Sequence, residues 1–110
     1  MVIRFDEMDE KTQEGFYGGK GAFCPKMFVD DNNKILLGRL PVGSSTGTHR
    51  HVPTSEIIFI LSGEAKAVCD GVEEILTSGD CHYCPQGSEH SLENIGGEDL
   101  RFFAVVPRHD

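Results

Sequence analysis

Apolar residues occur along this chain in short runs separated by clusters of Gly, Pro, Asn and Asp. Runs of this kind between turn-forming residues are typical of β-strands. The Asp70-Gly71 pair is a strong β-hairpin signal, and no stretch shows the periodicity of an amphipathic helix. The pattern therefore predicts an all-β domain of about nine strands. These strands are 26–29, 34–40, 46–51, 56–61, 64–69, 72–76, 81–84, 89–93 and 100–106.

Two of the predicted strands contain segments that are apolar at every position, 57–61 and 102–106. A strand with one solvated face alternates apolar and polar residues, so both faces of these strands are expected to be covered, as in a sandwich or a closed barrel. Residues 1–25 are less regular, and the glycine-rich segment 15–21 is predicted to be a flexible arm that packs on the barrel or on a partner subunit. We therefore expect one domain, with the barrel formed by residues 26–110.

Length and composition narrow the class of protein. The chain has 110 residues, 38% hydrophobic and 25% charged, as expected for a single globular domain. A nucleic-acid partner is excluded by the net charge of −8 and the lack of a Lys/Arg cluster, because phosphates must be neutralised by a basic surface. No apolar run reaches the ~18 residues of a membrane span, and the N-terminus lacks the apolar core of a signal peptide. A cytoplasmic protein is expected.

The four cysteines are expected to be reduced thiols in such a compartment. Cys81 and Cys84 have the spacing of half a zinc knuckle, but no second pair completes it. They also lie in a predicted strand, where residues i and i+3 point to opposite faces. This geometry disfavours both a metal chelate and a disulfide between them.

Three potential metal ligands, His49, His51 and Glu56, lie close together in the sequence. The two histidines are i and i+2 on a predicted strand, so their side chains emerge on one face, about 7 Å apart along the backbone. Glu56 begins the return strand beside them. Ile58 and Ile60 share the face of Glu56 and are predicted to wall the site with aliphatic side chains, which exclude water.

Two motifs of fixed spacing contain these residues and a further histidine. The first motif, G-x5-H-x-H-x4-E-x6-G, spans residues 43–63, and the second, G-x5-P-x-G-x2-H-x3-N, spans residues 79–94. The positions that match the first motif are Gly43, His49, His51, Glu56 and Gly63. Those that match the second are Gly79, Pro85, Gly87, His90 and Asn94. These are the two signature motifs of the cupin superfamily, which the sequence therefore resembles, and with their spacer they cover about half of the chain.

The resemblance implies a double-stranded β-helix, or jelly-roll barrel. It also implies that His49, His51, Glu56 and His90 hold one divalent transition metal, which in this family is iron, manganese, zinc, nickel, cobalt or copper. Three imidazoles and one carboxylate suit first-row ions and leave one or two coordination positions open, as a catalytic site requires. The resemblance further implies a small-molecule ligand or substrate, and a homodimer in which residues 1–25 take part.

Two functions remain open from the sequence. One is a metal-dependent enzyme acting on a small organic molecule, of dioxygenase, isomerase, decarboxylase or lyase type. The alternative is a non-catalytic module that binds a small molecule through the metal. A third interpretation, in which the metal only stabilises the fold, predicts that chelators unfold the protein.

Three further residues are weaker candidates for the site. His82 and Tyr83 are neighbours on a predicted strand, so at most one of them points into the barrel. Either could assist a ligand or shuttle a proton, or could be an ordinary core or surface residue. Arg39 could hold an anionic substrate if its face is the inner one; an exterior salt bridge is the alternative.

Overall fold

The computed structural model describes all 110 residues, and eleven β-strands carry the fold. Two short strands near the N-terminus pair with each other, and the other nine form two antiparallel sheets. The strands are β1 (Gln13–Glu14), β2 (Ala22–Phe23), β3 (Lys26–Val29), β4 (Asn33–Leu40), β5 (His49–Arg50), β6 (Glu56–Ser62), β7 (Ala65–Cys69), β8 (Val72–Leu76), β9 (Cys81–Cys84), β10 (Glu89–Asn94) and β11 (Leu100–Pro107). The helical segments are two 3-10 turns, Phe5–Glu7 and Phe16–Gly18, and neither has the length or apolarity to cross a membrane.

The chain passes back and forth between the two sheets. The five-stranded sheet has the order β3-β4-β11-β6-β9, and the four-stranded sheet has the order β5-β10-β7-β8. The last strand, β11, lies in the centre of the larger sheet, paired antiparallel with both β4 and β6. This arrangement confirms the predicted all-β double-stranded β-helix.

Side-chain alternation builds the core between the sheets. On β4, β6 and β11 every second residue points inward, and these side chains meet alanines and leucines of the smaller sheet. The twelve core residues are Phe23, Leu36, Leu40, Ile58, Ile60, Ala65, Ala67, Leu76, Leu92, Leu100, Phe102 and Ala104. Leu40, Ile60 and Leu100 are fully buried, which stabilises the fold by about 1.5–3 kcal/mol for each side chain. The predicted inward face of Ile58 and Ile60 is confirmed.

All nine predicted strands are present, but one is much shorter than predicted. Of the segment 46–51, only His49–Arg50 is a strand. The N–H of Thr46 donates to the carbonyl of Leu92 on β10, but the return bond from the N–H of Leu92 goes to the Thr46 hydroxyl instead of a backbone carbonyl, which interrupts the ladder. The short strands β1 and β2 were not predicted.

The expectation that both faces of segment 57–61 are covered was wrong for the single chain. Ile57, Phe59 and Leu61 point outward and are 40%, 40% and 44% exposed. Tyr83, on the adjacent strand β9, extends this row as the register partner of Ile57. The outer side of the larger sheet therefore carries an exposed apolar row, which we call the β6 face.

The glycine-rich segment 15–21, predicted as an arm that packs on the barrel or on a partner subunit, lies on the chain's own barrel. The N–H of Gly47 donates to the carbonyl of Phe16 at 2.9 Å, and the N–H of Ser45 donates to the carbonyl of Lys20 at 2.8 Å. Any side chain at Gly47 would overlap the carbonyl of Tyr17. The segment, which we call the docked segment, is thus held against the loop that leads into β5.

Candidate metal centre

Both sheets contribute to one cluster of imidazoles and a carboxylate. His49 lies on β5 and His90 on β10, where the two residues are register partners. His51 follows β5 directly, and its N–H donates to the carbonyl of Ser88 at 3.0 Å. Glu56 is the first residue of β6 in the opposite sheet. Strand pairing therefore brings His90 to the three ligands that lie together in the sequence.

The four side chains converge on one point. One Glu56 carboxylate oxygen lies 2.9 Å from His90 Nε2, 3.1 Å from His51 Nε2 and 3.9 Å from His49 Nε2. The Nε2 atoms of His51 and His90 are 3.0 Å apart. All four ligand atoms lie within 4.8 Å of one another. This cluster is compatible with one metal ion.

The outward ring nitrogen of each histidine is held by a partner away from the cluster. His49 Nδ1–H donates to the carbonyl of Gly47 at 2.8 Å. The Nδ1 atom of His51 contacts the Thr54 hydroxyl at 2.9 Å, and that of His90 contacts His82 Nε2 at 3.0 Å. Anchoring of this kind is typical of metal-ligating histidines, since it fixes the ring and leaves the other nitrogen for the ion. The donor set therefore fits a first-row divalent ion.

The electrostatics of the cluster favour the protonation state that binds a metal. Burial alone would raise the pKa of the Glu56 carboxyl, but hydrogen bonds from His49, His51 and His90 outweigh it and hold the pKa well below its ordinary range. Burial lowers the pKa of His90, and the Glu56 carboxylate offsets only part of that effect. An ionised Glu56 and a neutral His90 are the forms that coordinate metal ions.

The cluster forms one wall of a cavity of about 270 Å³. More than half of the lining is apolar, with Phe16, Phe23, Ile58 and Phe102 among the residues that surround the cluster. Ile58 is the aliphatic wall that the sequence predicted, whereas Ile60 lies deeper in the core. An apolar lining keeps water away from the ligands and strengthens electrostatic interactions inside the cavity.

The docked segment supplies an aromatic wall that the sequence did not identify. The ring of Tyr17 stacks on that of His49, with centroids 4.2 Å apart and planes inclined by 14°. Tyr17 has a φ of 52°, an uncommon backbone conformation for a residue other than glycine. The only sequence signal was the density of glycines in this segment, which indicates unusual turns but not where they pack.

The three weaker candidates occupy different environments. Arg39 does not line the cavity; its guanidinium forms a two-pronged pair with Glu10, with both contacts at 2.8 Å. Tyr83 points outward on the β6 face and is 57% exposed. His82 points inward, is 1% exposed, and stacks on His90 with ring centroids 5.2 Å apart. Of the three, only His82 touches a member of the cluster.

The four cysteines are free. Cys81 is exposed and Cys84 buried on opposite faces of β9, as predicted. Cys84 is the register partner of Glu56, and Cys69 is that of His90. Burial raises the pKa of the Cys84 thiol to about 12, so this sulfur stays protonated and unreactive beside the cluster.

The fold and the cluster agree with a comparison to known families. The cupin domain family matches residues 36–106. The chain belongs to the cupin family.

The chain is similar to a named relative and to solved structures. The chain is 36% identical to the oxalate-binding protein of Thermotoga maritima over 112 aligned residues, which cover 96% of this chain and 93% of that one. The crystal structure of a predicted oxalate decarboxylase from Thermotoga maritima superposes with a TM-score of 0.93 at 31% identity, covering 99% of this chain and all of the other. An RmlC-like cupin from Shewanella frigidimarina shares the fold, with a TM-score of 0.80 at 16% identity over 98% of this chain and 90% of that one.

Proposed function

We propose that this protein is a metal-dependent cupin that binds a small carboxylate, such as oxalate, at a metal held by His49, His51, Glu56 and His90. The observation that carries the proposal is the convergence of three imidazole nitrogens and one carboxylate oxygen within 4.8 Å at the wall of a small cavity. The similarity to the oxalate-binding protein of Thermotoga maritima extends over nearly the whole chain and supports the choice of ligand.

Charge supports an anionic ligand. Three neutral imidazoles and one carboxylate around a divalent ion leave a net charge of about +1 at the centre. Lys34 and Arg50 line the same cavity, where Arg50 also pairs with Glu89 at 3.5 Å, and Glu56 is the only carboxylate of the lining. The cavity is therefore locally cationic in a protein whose net charge is −8. A small anion gains both a coordination bond and favourable electrostatics there.

Size supports a ligand of few atoms. A cavity of about 270 Å³ lies just below the range for small-molecule sites, roughly 300–1,000 Å³. The rings of Phe16 and Phe23 close it on the side of the docked segment, where they pack at a centroid distance of 4.9 Å. A compact mono- or dicarboxylate fits this space, whereas a nucleotide does not.

When bound, the metal supplies a Lewis acid or redox centre with open coordination positions. The chain's own residues orient that centre and keep water out. Glu56 and the three histidines fix the direction in which a ligand approaches, because both sheets hold them rigidly.

We propose decarboxylation of a small dicarboxylate as the reaction. Oxalate would lose carbon dioxide, and the carbon left behind would take up one proton to give formate. The similarity to the predicted oxalate decarboxylase of Thermotoga maritima supports this reaction class. The second candidate is binding without turnover, which is favoured by the lack of a lining carboxylic acid other than Glu56 to deliver that proton.

The decisive experiment is calorimetric titration of oxalate into the metal-loaded protein, with product analysis for formate. We expect oxalate binding, and its loss in His49→Ala. His109→Ala is the matched control, because His109 is an exposed histidine that contacts Ser55 and not the cluster. Binding without formate selects the second candidate. If the metal-loaded protein binds neither oxalate nor malonate, the proposed function is wrong.

We also propose a homodimer formed through the β6 face. Ile57, Phe59, Leu61 and Tyr83 form one contiguous exposed apolar row, which is the kind of patch that marks a protein interface. Light scattering should return twice the monomer mass, and Phe59→Lys should return the monomer mass. The four free cysteines are consistent with a reducing compartment, and we propose the cytoplasm.

A further inference from the structure

A continuous hydrogen-bonded chain leads from the cluster to the protein surface on the far side of His90. His90 Nδ1 lies 3.0 Å from His82 Nε2, and His82 Nδ1 lies 2.7 Å from a carboxylate oxygen of Glu74. His82 is 1% exposed, whereas the Glu74 side chain is 48% exposed. His82 thus connects a buried metal ligand to a carboxylate in contact with solvent.

The Glu74 end sets the direction of the hydrogen bonds in this chain when a metal is bound. An ionised carboxylate only accepts, so His82 must carry a proton on Nδ1 and donate it to Glu74. A neutral His82 then has a lone pair on Nε2, which accepts from His90 Nδ1–H and leaves His90 Nε2 free for the metal. Without a metal, the Glu56 carboxylate 2.9 Å from His90 Nε2 accepts from that nitrogen, so Glu74 and Glu56 favour opposite tautomers of His90.

We propose that His82 and Glu74 are positioning residues that hold the ring of His90 and favour its Nδ1–H tautomer, and thereby raise the metal affinity of the site. The inference rests on the proposed metal site but not on the identity of the carboxylate ligand. Partners of this kind behind a ligating histidine typically change metal affinity by about 10–100-fold.

The three ligating histidines differ in how they are held. His49 and His51 use a nearby carbonyl and hydroxyl, Gly47 and Thr54, at sequence separations of two and three residues. His90 has no such local partner and depends on His82, eight residues away on β9, and on Glu74 on β8. Its tautomer therefore depends on a contact between strands of opposite sheets. Loss of Glu74 frees His82 to carry its proton on Nε2, which would favour His90 protonated on the nitrogen that faces the metal.

The test measures affinity for Co²⁺ by competition with a chelator, without any carboxylate ligand. We expect His82→Phe to weaken binding 10–100-fold and Glu74→Ala about tenfold. Glu74→Gln should bind more tightly than Glu74→Ala, because its amide oxygen still accepts from His82. Glu73→Ala is the matched control, since it removes the same charge from an exposed neighbour on β8 and should match the wild type.

A second readout uses ¹⁵N chemical shifts of the histidine rings in the metal-free protein. We expect His82 to be protonated on Nδ1 in the wild type, and Glu74→Ala to shift it toward protonation on Nε2. A purely structural role for Glu74 would leave these shifts unchanged. Because Glu74 is half-exposed, this variant tests the inference even if His82→Phe fails to fold.

Two outcomes overturn the inference. One is an affinity for Co²⁺ in Glu74→Ala and His82→Phe that lies within twofold of the wild type. The other is a wild-type His82 whose proton lies on Nε2 in the metal-free protein. Neither outcome depends on whether oxalate binds, so failure of the proposed function and failure of this inference are distinguished.

Discussion

Replacement of Asn94 by alanine should be among the most destabilising polar substitutions in this protein. Asn94 is the last residue of the second motif and is 3% exposed. Its Nδ2 donates to the carbonyl of Leu40 at 2.9 Å and to that of Glu98 at 2.8 Å. Its Oδ1 accepts from the N–H of Gly96 at 2.9 Å. One side chain thus joins the ends of β10 and β4 to the turn before β11.

The magnitude follows from these three bonds. A hydrogen bond within a protein contributes about 0.5–1.5 kcal/mol net, so the three together contribute roughly 1.5–4.5 kcal/mol. Alanine also leaves the buried carbonyl of Leu40 without this donor. We expect Asn94→Ala to lower the free energy of unfolding by about 3 kcal/mol, which is a large share of the roughly 5–15 kcal/mol available to a domain.

Urea denaturation of the metal-free protein, followed by circular dichroism, measures this change. Asn94→Asp keeps the acceptor for Gly96 but loses both donors and places a carboxylate against two carbonyls, so it should destabilise at least as much as alanine. Asn32→Ala is the control, because Asn32 is exposed; it should stay within about 0.5 kcal/mol of the wild type. An Asn94→Ala variant as stable as this control would refute the reasoning.

Three other substitutions or modifications test separate parts of the structure. Glu10→Gln should lower the free energy of unfolding at pH 7 by about 0.5 kcal/mol. Because the hydrogen bond from Arg39 lowers the pKa of Glu10, thermal melts should show this difference vanish as the pH falls through that lowered pKa. A difference between the two proteins that stays constant with pH would contradict it. Gly47→Ala should displace the docked segment, since the added methyl group overlaps a backbone carbonyl; limited proteolysis should then cut the segment faster than in the wild type, and equal rates would exclude this role. Iodoacetamide at pH 8 should modify exposed Cys81 readily and buried Cys84 only after unfolding; equal labelling of the two in mass spectra would show that the burial of Cys84 is wrong.

Much of the fold was predictable because its signals are local. Alternation and turn residues gave strands such as Lys26–Val29, Val72–Leu76 and Cys81–Cys84 with the bounds found in the structure. The prediction for segment 57–61 was wrong, because apolar residues on both faces of a strand indicate that both faces are covered but not whether the same chain covers them. In the single chain, the outer half of that segment is exposed.

The cluster was predictable in parts that have different origins. The i, i+2 spacing of His49 and His51 brought them to one face by strand geometry alone. His90 required the second motif, because only the pairing of β5 with β10 brings it to the others. The positions of Glu74 and Tyr17 could not be predicted from the sequence. The contact of Glu74 with His82 depends on how β8 lies beside β9, which belongs to the other sheet. The contact of Tyr17 with His49 depends on a turn in a segment without predicted strands.

The stack of Tyr17 on His49 gives the protein an intrinsic fluorescent probe. The chain contains two tyrosines and no tryptophan, so its tyrosine emission comes from only two rings. Tyr17 lies against a candidate ligand at 4.2 Å between ring centroids, whereas Tyr83 lies on the outer β6 face. A quenching ion at the cluster should therefore dim one ring and spare the other. Metal loading can be followed in the unlabelled protein, with Tyr83→Phe removing the background.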